Sequence, residues 1–319
     1  MRLWRGLIFI LAGLALSACV NARTDDAMCP ASADLVPSFA IPAGTPAIEH
    51  QHVDILVLSG GGAWGAYGAG FLTGWSQRDP SLGRPRPEFD IVTGVSTGAI
   101  IAPFALLGPG YDNALIEAYR GTGSKALFES RSILTLPFWT SLNDPAPFEE
   151  GLNRMLTDGA IAQLGAAHKD GRSLWAGAVN FDSGKFTEFD ITELAASQPV
   201  DKARGAIVDR LMAASAIPGF FPPRFINGCM YMDGGVRQNL FVAEIGGAID
   251  GAVAGRNGPK DVSVYIIVNG TMAPTRHRTR DTLFGIGIRG FELAGDQIQL
   301  SSLREIYDYA HAKGFHLYW

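Results

Sequence analysis

"VDILVLSGGGAWG", residues 53–65, is an apolar run that ends in a cluster of glycines. Val53–Ser59 has the length and β-branched content of a buried strand. Gly62–Gln77 follows as a helix, in which Ala63, Ala66, Ala69 and Gly70 are small enough for close packing. Strand, glycine turn and helix in that order open an α/β fold. Residues 60–65 also fit G-x-G-x-x-G. Such a loop aims backbone N–H groups at negative charge, and two kinds of charge would suit it: a dinucleotide pyrophosphate, or an oxyanion that develops during a reaction.

The next strand separates the two. A dinucleotide site needs an acidic residue at the end of strand two to hold the ribose. Here strand two is Phe89-Asp90-Ile91-Val92-Thr93, with Glu88 before it and Asp90 at its start. At its end stands Gly94-Val95-Ser96-Thr97-Gly98, a G-x-S-x-G turn. That pattern puts a serine on a sharp strand-to-helix turn, its hydroxyl raised off the sheet and neighbouring N–H groups at a helix N-terminus. A plain βα turn with a capping serine has the same letters. Further on, Tyr231-Met232-Asp233-Gly234-Gly235 delivers an aspartate at a strand end and turns at once. Asp-Gly-Gly is an ordinary turn, but also a place from which a base reaches a serine on a neighbouring strand.

The remaining pattern alternates strand and helix. Helices are expected at Thr97–Leu107, bent at Pro103, and at Asp112–Arg120, Phe148–Leu156, Asp201–Ser215, Val242–Gly255 and Asp281–Ala312. Trp175–Asn180 and Lys185–Asp190 flank Asp182-Ser183-Gly184 and read as a hairpin. Val262–Val268 is another buried strand, and Phe315–Tyr318 a last short one. The expected fold class is α/β, a three-layer sandwich with a largely parallel central sheet.

Taken together, these motifs resemble the patatin-like phospholipase family. That family carries a Gly-rich G-G-G-x-[Arg/Lys]-G loop, a G-x-S-x-G turn and an Asp-Gly-Gly or Asp-Gly-Ala motif, and residues 60–65, 94–98 and 233–235 follow the same order. Ala214-Ser215-Ala216-Ile217-Pro218-Gly219-Phe220-Phe221-Pro222-Pro223 resembles the family's A-S-x-A-x-P-x-x-F-P-P segment. The resemblance implies Ser96 as nucleophile and Asp233 as its base, in a dyad without histidine. It implies Gly60, Gly61 and Gly62 as the oxyanion hole, with Gly65, Gly94, Gly98, Gly234 and Gly235 as motif support. The implied reaction is hydrolysis of (phospho)lipid esters through an acyl-enzyme on Ser96, with no cofactor and no metal. Transfer of the acyl group to an alcohol, or a silent lipid-binding lipoprotein, are the alternatives.

A free aspartate, with a pKa of ~3.9, is a weak base for a serine hydroxyl. Burial against Tyr231, Phe220 and Phe221 would raise it. Trp64 occupies the place of the family's basic residue, removing a cation beside the substrate. A histidine triad would have to draw on His277, His311 or His316, which all follow Asp233. Leu136, Phe138 and Trp139 around Pro137 suit an apolar lid, or core. The basic run Arg276-His277-Arg278-Thr279-Arg280 suits anionic head groups or a solvated loop.

The N-terminus is a targeting segment. Arg2 and Arg5 precede an apolar stretch, Gly6–Leu16, too short to span a bilayer comfortably. Leu16-Ser17-Ala18-Cys19 resembles a bacterial lipobox, which implies lipidation of Cys19. The domain reading is a signal peptide at 1–18, a lipid-anchored linker at 19–50 rich in Ala, Pro, Ser, Thr and Asp, and an acyl hydrolase domain at 51–319. The anchor places the protein on a membrane of the bacterial cell envelope. Val20 lacks the aspartate of inner-membrane retention, which by analogy favours the outer membrane facing the periplasm. Cys29 and Cys229 are expected as free or variably oxidised thiols, without metal-site spacing. With 26 basic against 31 acidic residues the net charge is −5, and no basic excess suggests nucleic acid.

Overall fold

The computed structural model describes residues 52–119, 129–130, 141–253, 261–274 and 278–319. Strand β1, His52–Leu58, shows why the sheet has two covered faces. Its side chains alternate: Leu56 and Leu58 enter one core, while Val53, Ile55 and Val57 enter another. A strand apolar on both faces needs helices on both sides, so the sheet is the middle of three layers. The first core is closed by α1 (Gly65–Ser76), α2 (Thr97–Leu107) and α7 (Val200–Ala214), which contribute Leu72, Phe104 and Leu211. The second is closed by α8 (Gly246–Val253) and α9 (Leu283–Lys313), which contribute Ile249 and Ile306.

Among the described residues the main sheet has eight strands. Beside β1 these are β2 (Ile91–Val95), β3 (Ser173–Asn180), β4 (Phe186–Asp190), β5 (Arg224–Ile226), β6 (Cys229–Asp233), β7 (Asp261–Ile267) and β8 (His316–Tyr318). Their order is β8-β7-β1-β2-β3-β6-β5, with β4 paired to β3. The four pairings from β8 to β3 are parallel, and those of β3 with β4 and β6 and of β5 with β6 are antiparallel. The expected largely parallel α/β sandwich is therefore the fold.

Strand β3 serves as the ruler for the site. Its residues Trp175–Gly177 pair with β2 on one edge and with β4 on the other. Ala178 and Val179 pair with β4 and β6. Since β4 holds one edge throughout, β2 and β6 share the other. Val95 sits opposite Gly177, and Asp233 opposite the next residue, Ala178. The end of β2 thus abuts the end of β6.

Several boundaries differ from the sequence reading. Strand β2 starts and ends two residues later than expected, running to the residue before Ser96. The helix expected from Gly62 begins as a 3-10 turn, Gly62–Trp64, before α1. Helix α2 runs through Pro103 without interruption. Helix α3, Asp112–Tyr119, matches expectation up to Arg120, which lies outside the described residues. Helix α4 covers Ala146–Met155. Two helices were not foreseen. One is α5, Asp158–Lys169, capped by Thr157, whose Oγ1 accepts from the Ala160 N–H. The other is α6, Ile191–Ser197, capped by Asp190, which accepts from the Glu193 N–H. Cys229 is buried and disulfide-bonded, the oxidised of the two states expected for its thiol, and its partner lies outside the described residues. The signal peptide, Cys19, the linker, Cys29, the Leu136–Trp139 stretch and His277 also lie outside them. No described helix is long and apolar enough to cross a membrane.

Candidate active site

The parallel strands deliver their C-terminal ends to one edge of the sheet, where ligands of open α/β folds bind. Leu58 leads into the glycine loop, Val95 into Ser96, and Ile267 into Asn269. Ser96 sits between β2 and α2 at φ 54° and ψ −126°, a region that side chains other than hydrogen rarely adopt. Holding it there costs on the order of 1–3 kcal/mol, which the surrounding packing must outweigh. The flanking glycines of the motif have a steric cause. A Cβ on Gly94 would lie 2.5 Å from the Gly98 carbonyl oxygen, and one on Gly98 would strike the Leu58 carbonyl. Only bare backbone lets α2 start this close to the sheet.

The serine turn and the aspartate are tied to the same short segment. The Ser96 N–H donates to the Ala214 carbonyl at 3.0 Å, and the Asp233 N–H donates to the Ala216 carbonyl at 3.0 Å. Between them, Ser215 donates its Oγ proton to the Ser96 carbonyl at 3.1 Å. The resemblance marks this stretch by its letters; its bridging role is visible only in three dimensions.

Asp233 is buried. Its Oδ1 accepts the Gly235 N–H at 2.7 Å, and its Oδ2 has no hydrogen-bond partner. Burial pushes its carboxyl up to about 6, against the opposing pull of the nearby Ser96 hydroxyl and the Gly235 N–H. Ser96 Oγ and Asp233 are thus close enough to interact without a hydrogen bond of ordinary length. Of the expected apolar neighbours, Tyr231 and Phe221 are buried, but Phe220 is 47% exposed and gives no such shielding.

The glycine loop resolves into parts. The Gly60 N–H is engaged by the Asn239 carbonyl at 3.2 Å. The N–H groups of Gly61 and Gly62 donate to no described residue, which leaves them available for an anion. Gly61 is needed for a close approach, since a Cβ there would fall on the Asn269 carbonyl oxygen. Asn269, fully buried, grips the loop from both sides. Its backbone N–H donates to Ser59 Oγ at 2.7 Å, its Nδ2 donates to the Ser59 carbonyl at 2.7 Å, and its Oδ1 accepts the Gly68 N–H at 3.1 Å. Asn239 and Asn269 carried no motif in the sequence.

An open cavity of about 490 Å³ meets Ser96. Gly62, Thr97 and Ser215 line it beside the serine, and Ile100, Phe148, Leu152, Met155, Ile217 and Phe221 give it an apolar wall. Glu117 and Arg154 also line it and are exposed. Neither His311 nor His316 lines this cavity. His316 pairs with Asp261 at 3.1 Å, at the opposite end of the sheet, and His311 stacks on Tyr307. Among the described residues no group of three His, Cys, Asp or Glu gathers to hold a metal.

A serine strained at a strand-to-helix turn, a buried carboxylate beside it and an apolar cavity opening on the serine are the parts that a serine acyl hydrolase requires. The chain belongs to the patatin-like phospholipase family, whose model matches residues 56–245. Among solved structures it is similar to VipD from Legionella pneumophila, at a TM-score of 0.38 and 14% identity over 72% of this chain. The match takes in 51% of VipD, so this chain corresponds to about half of that protein's length. No curated protein sequence matches the chain.

Proposed function

We propose that the protein hydrolyses phospholipid or other fatty-acyl esters through an acyl-enzyme on Ser96, with Asp233 as the base. The observation that carries this reading is the unpartnered Asp233 Oδ2, buried beside a strained Ser96 that opens on an apolar cavity. Asp233 Oδ2 takes the Ser96 hydroxyl proton as Oγ attacks the ester carbonyl. A carboxyl raised to about 6 is a stronger base than a solvated one and is still ionised at neutral pH. The carbonyl oxygen becomes an oxyanion held by the Gly61 and Gly62 N–H groups. Collapse expels the alcohol, which leaves with the proton from Asp233. Water then attacks the acyl-enzyme by the same route, and the fatty acid is released.

An acyl chain fits the apolar wall of Ile100, Phe148, Leu152 and Phe221. Lipidation of Cys19 would hold the enzyme on a membrane of the cell envelope, and Val20, in place of the aspartate of inner-membrane retention, favours the outer membrane by analogy. The test is fluorophosphonate labelling of wild type, Ser96→Ala and Asp233→Asn, with ester hydrolysis in parallel. Labelling lost in Ser96→Ala and turnover lost in both variants is the expected result. A folded wild type that neither labels nor hydrolyses esters would defeat the reading.

A further inference from the structure

Three large aromatic side chains stand exposed beside the cavity. Trp64 is 60% exposed, Tyr67 56% and Phe71 46%. Their spacing, i, i+3 and i+7, puts them on one face of α1 and its leading turn. Leu72 and Ala69, on the opposite side of the same helix, are buried in the core. The stripe is a braced surface. Tyr67 lies 6.2 Å from Phe71, Phe71 5.8 Å from Trp75, and Trp75 6.1 Å from the fully buried Phe89. A contiguous exposed apolar face of this kind needs a partner.

The surroundings of the stripe identify that partner. Gly62, Ala63 and Ala66, interleaved with Trp64 and Tyr67 along the chain, line the Ser96 cavity. One short segment thus presents the cavity mouth on one face and the aromatic stripe on the next. The exposed Arg154 at the same mouth has no ion-pair partner among the described residues, while Glu117 is the opposing charge there. We infer that Trp64, Tyr67 and Phe71 seat the protein on a lipid surface, with the cavity mouth against the lipid. The inference rests on the lipid ester hydrolase reading. Trp and Tyr suit a membrane interface because an apolar ring carries a polar edge. Trp64 replaces a cation of the family motif with such a ring.

The test uses the full chain and vesicles of brominated phosphatidylcholine with phosphatidylglycerol. Wild-type tryptophan emission is expected to be quenched by more than that of Trp64→Phe, the difference being the share of Trp64. Equal quenching in the two proteins would put Trp64 outside the lipid and overturn the inference. In parallel, Tyr67→Ser/Phe71→Ser is expected to hydrolyse vesicle phospholipid about tenfold more slowly, given the apolar area withdrawn from lipid. Its rate on a soluble short-chain ester stays within about twofold of wild type, as expected for exposed positions. Unchanged vesicle hydrolysis, or a wild-type dimer that the double variant dissociates while vesicle hydrolysis persists, would assign the stripe to another use. Ser96→Ala separates the two claims: it abolishes both hydrolyses and leaves quenching intact. Soluble-ester activity persisting in Ser96→Ala would defeat the catalytic reading alone.

Discussion

Ser96 and Asp233 hang from one three-residue stretch, the first through the Ala214 carbonyl and the second through the Ala216 carbonyl, each at 3.0 Å. The register on β3 brings the ends of β2 and β6 together, and this segment pins the backbone of both residues there. Ser215, in the middle, touches both the Ser96 carbonyl and the cavity.

Ser215→Ala should therefore act on stability and rate together. It removes one buried hydrogen bond, a loss of about 1 kcal/mol. The proposed nucleophile's turn loosens, so kcat should fall while KM changes little. Urea unfolding and steady-state kinetics on a soluble ester would measure the two effects. A variant that lost stability with kcat untouched would show that the tie is structural only.

The strain at Ser96 makes a separate prediction. Glycine adopts φ 54° without penalty, and alanine does not. Ser96→Gly should be more stable than Ser96→Ala by about 1 kcal/mol, with both inactive. Denaturation midpoints of the two variants would test this, and equal midpoints would mean that the turn stores no strain at this residue.

Much of this site is legible in the chain alone. Glycine clusters at strand ends leave a record, because close backbone approach admits no other residue. That is why Gly61, Gly94 and Gly98 marked the two turns correctly. Asn239 and Asn269 left no record. They act through side-chain and backbone contacts across 179 and more than 200 positions, and an asparagine in a loop reads as a turn residue. Gly60 was expected to face the oxyanion, yet its N–H turns to Asn239, a choice made by loop geometry that letters do not carry. Helix α5, DGAIAQLGAAHK, was missed because its small residues give little amphipathic contrast. Phe220 and Phe221 looked equivalent, but the turn at Gly219 sends one outward and buries the other.

Asn269 is where the unforeseen part of the site can be tested. Asn269→Ala would leave the buried Gly68 N–H without its acceptor and the Ser59 carbonyl without its side-chain donor. The expected loss of stability is about 2–4 kcal/mol, since buried polar groups go unpaired. With the Gly61–Gly62 segment displaced, kcat should drop about tenfold or more, as oxyanion donors lose their aim. Comparing Asn269→Ala with Asn269→Ser at a temperature where both remain folded separates loop aim from global stability.

The cavity predicts chain-length preference. Ala66 lines it from an exposed position on α1, so a large side chain there can enter the cavity without disturbing the core. Ala66→Trp should cut kcat/KM on long-chain esters about tenfold or more while leaving butyrate esters within about threefold, because each methylene kept out of the cavity forfeits its share of apolar burial. A profile of p-nitrophenyl esters of increasing length would check it. A uniform loss at all lengths would place the acyl chain elsewhere.

Asp233 links pH to both activity and stability. Its carboxyl titrates at about 6 in the folded protein because it is buried. In the unfolded chain an aspartate titrates at ~3.9. Between those values the folded state holds a proton that the unfolded state has released, so stability falls as pH rises through the window. The full difference is present above about pH 6 and amounts to roughly 3 kcal/mol, against the folded state. Asp233→Asn removes this ionisation. Relative to wild type it should therefore gain stability at pH 8 by an amount that shrinks towards pH 4, as measured by urea unfolding at both values. Activity should run the other way. The proposed base must be ionised, so kcat/KM of the wild type should rise through about pH 6 and level off above it, and Asp233→Asn should remove that limb together with the turnover. A variant that is inactive but no more stable at pH 8 would mean that Asp233 sits in a wetter place than its burial implies.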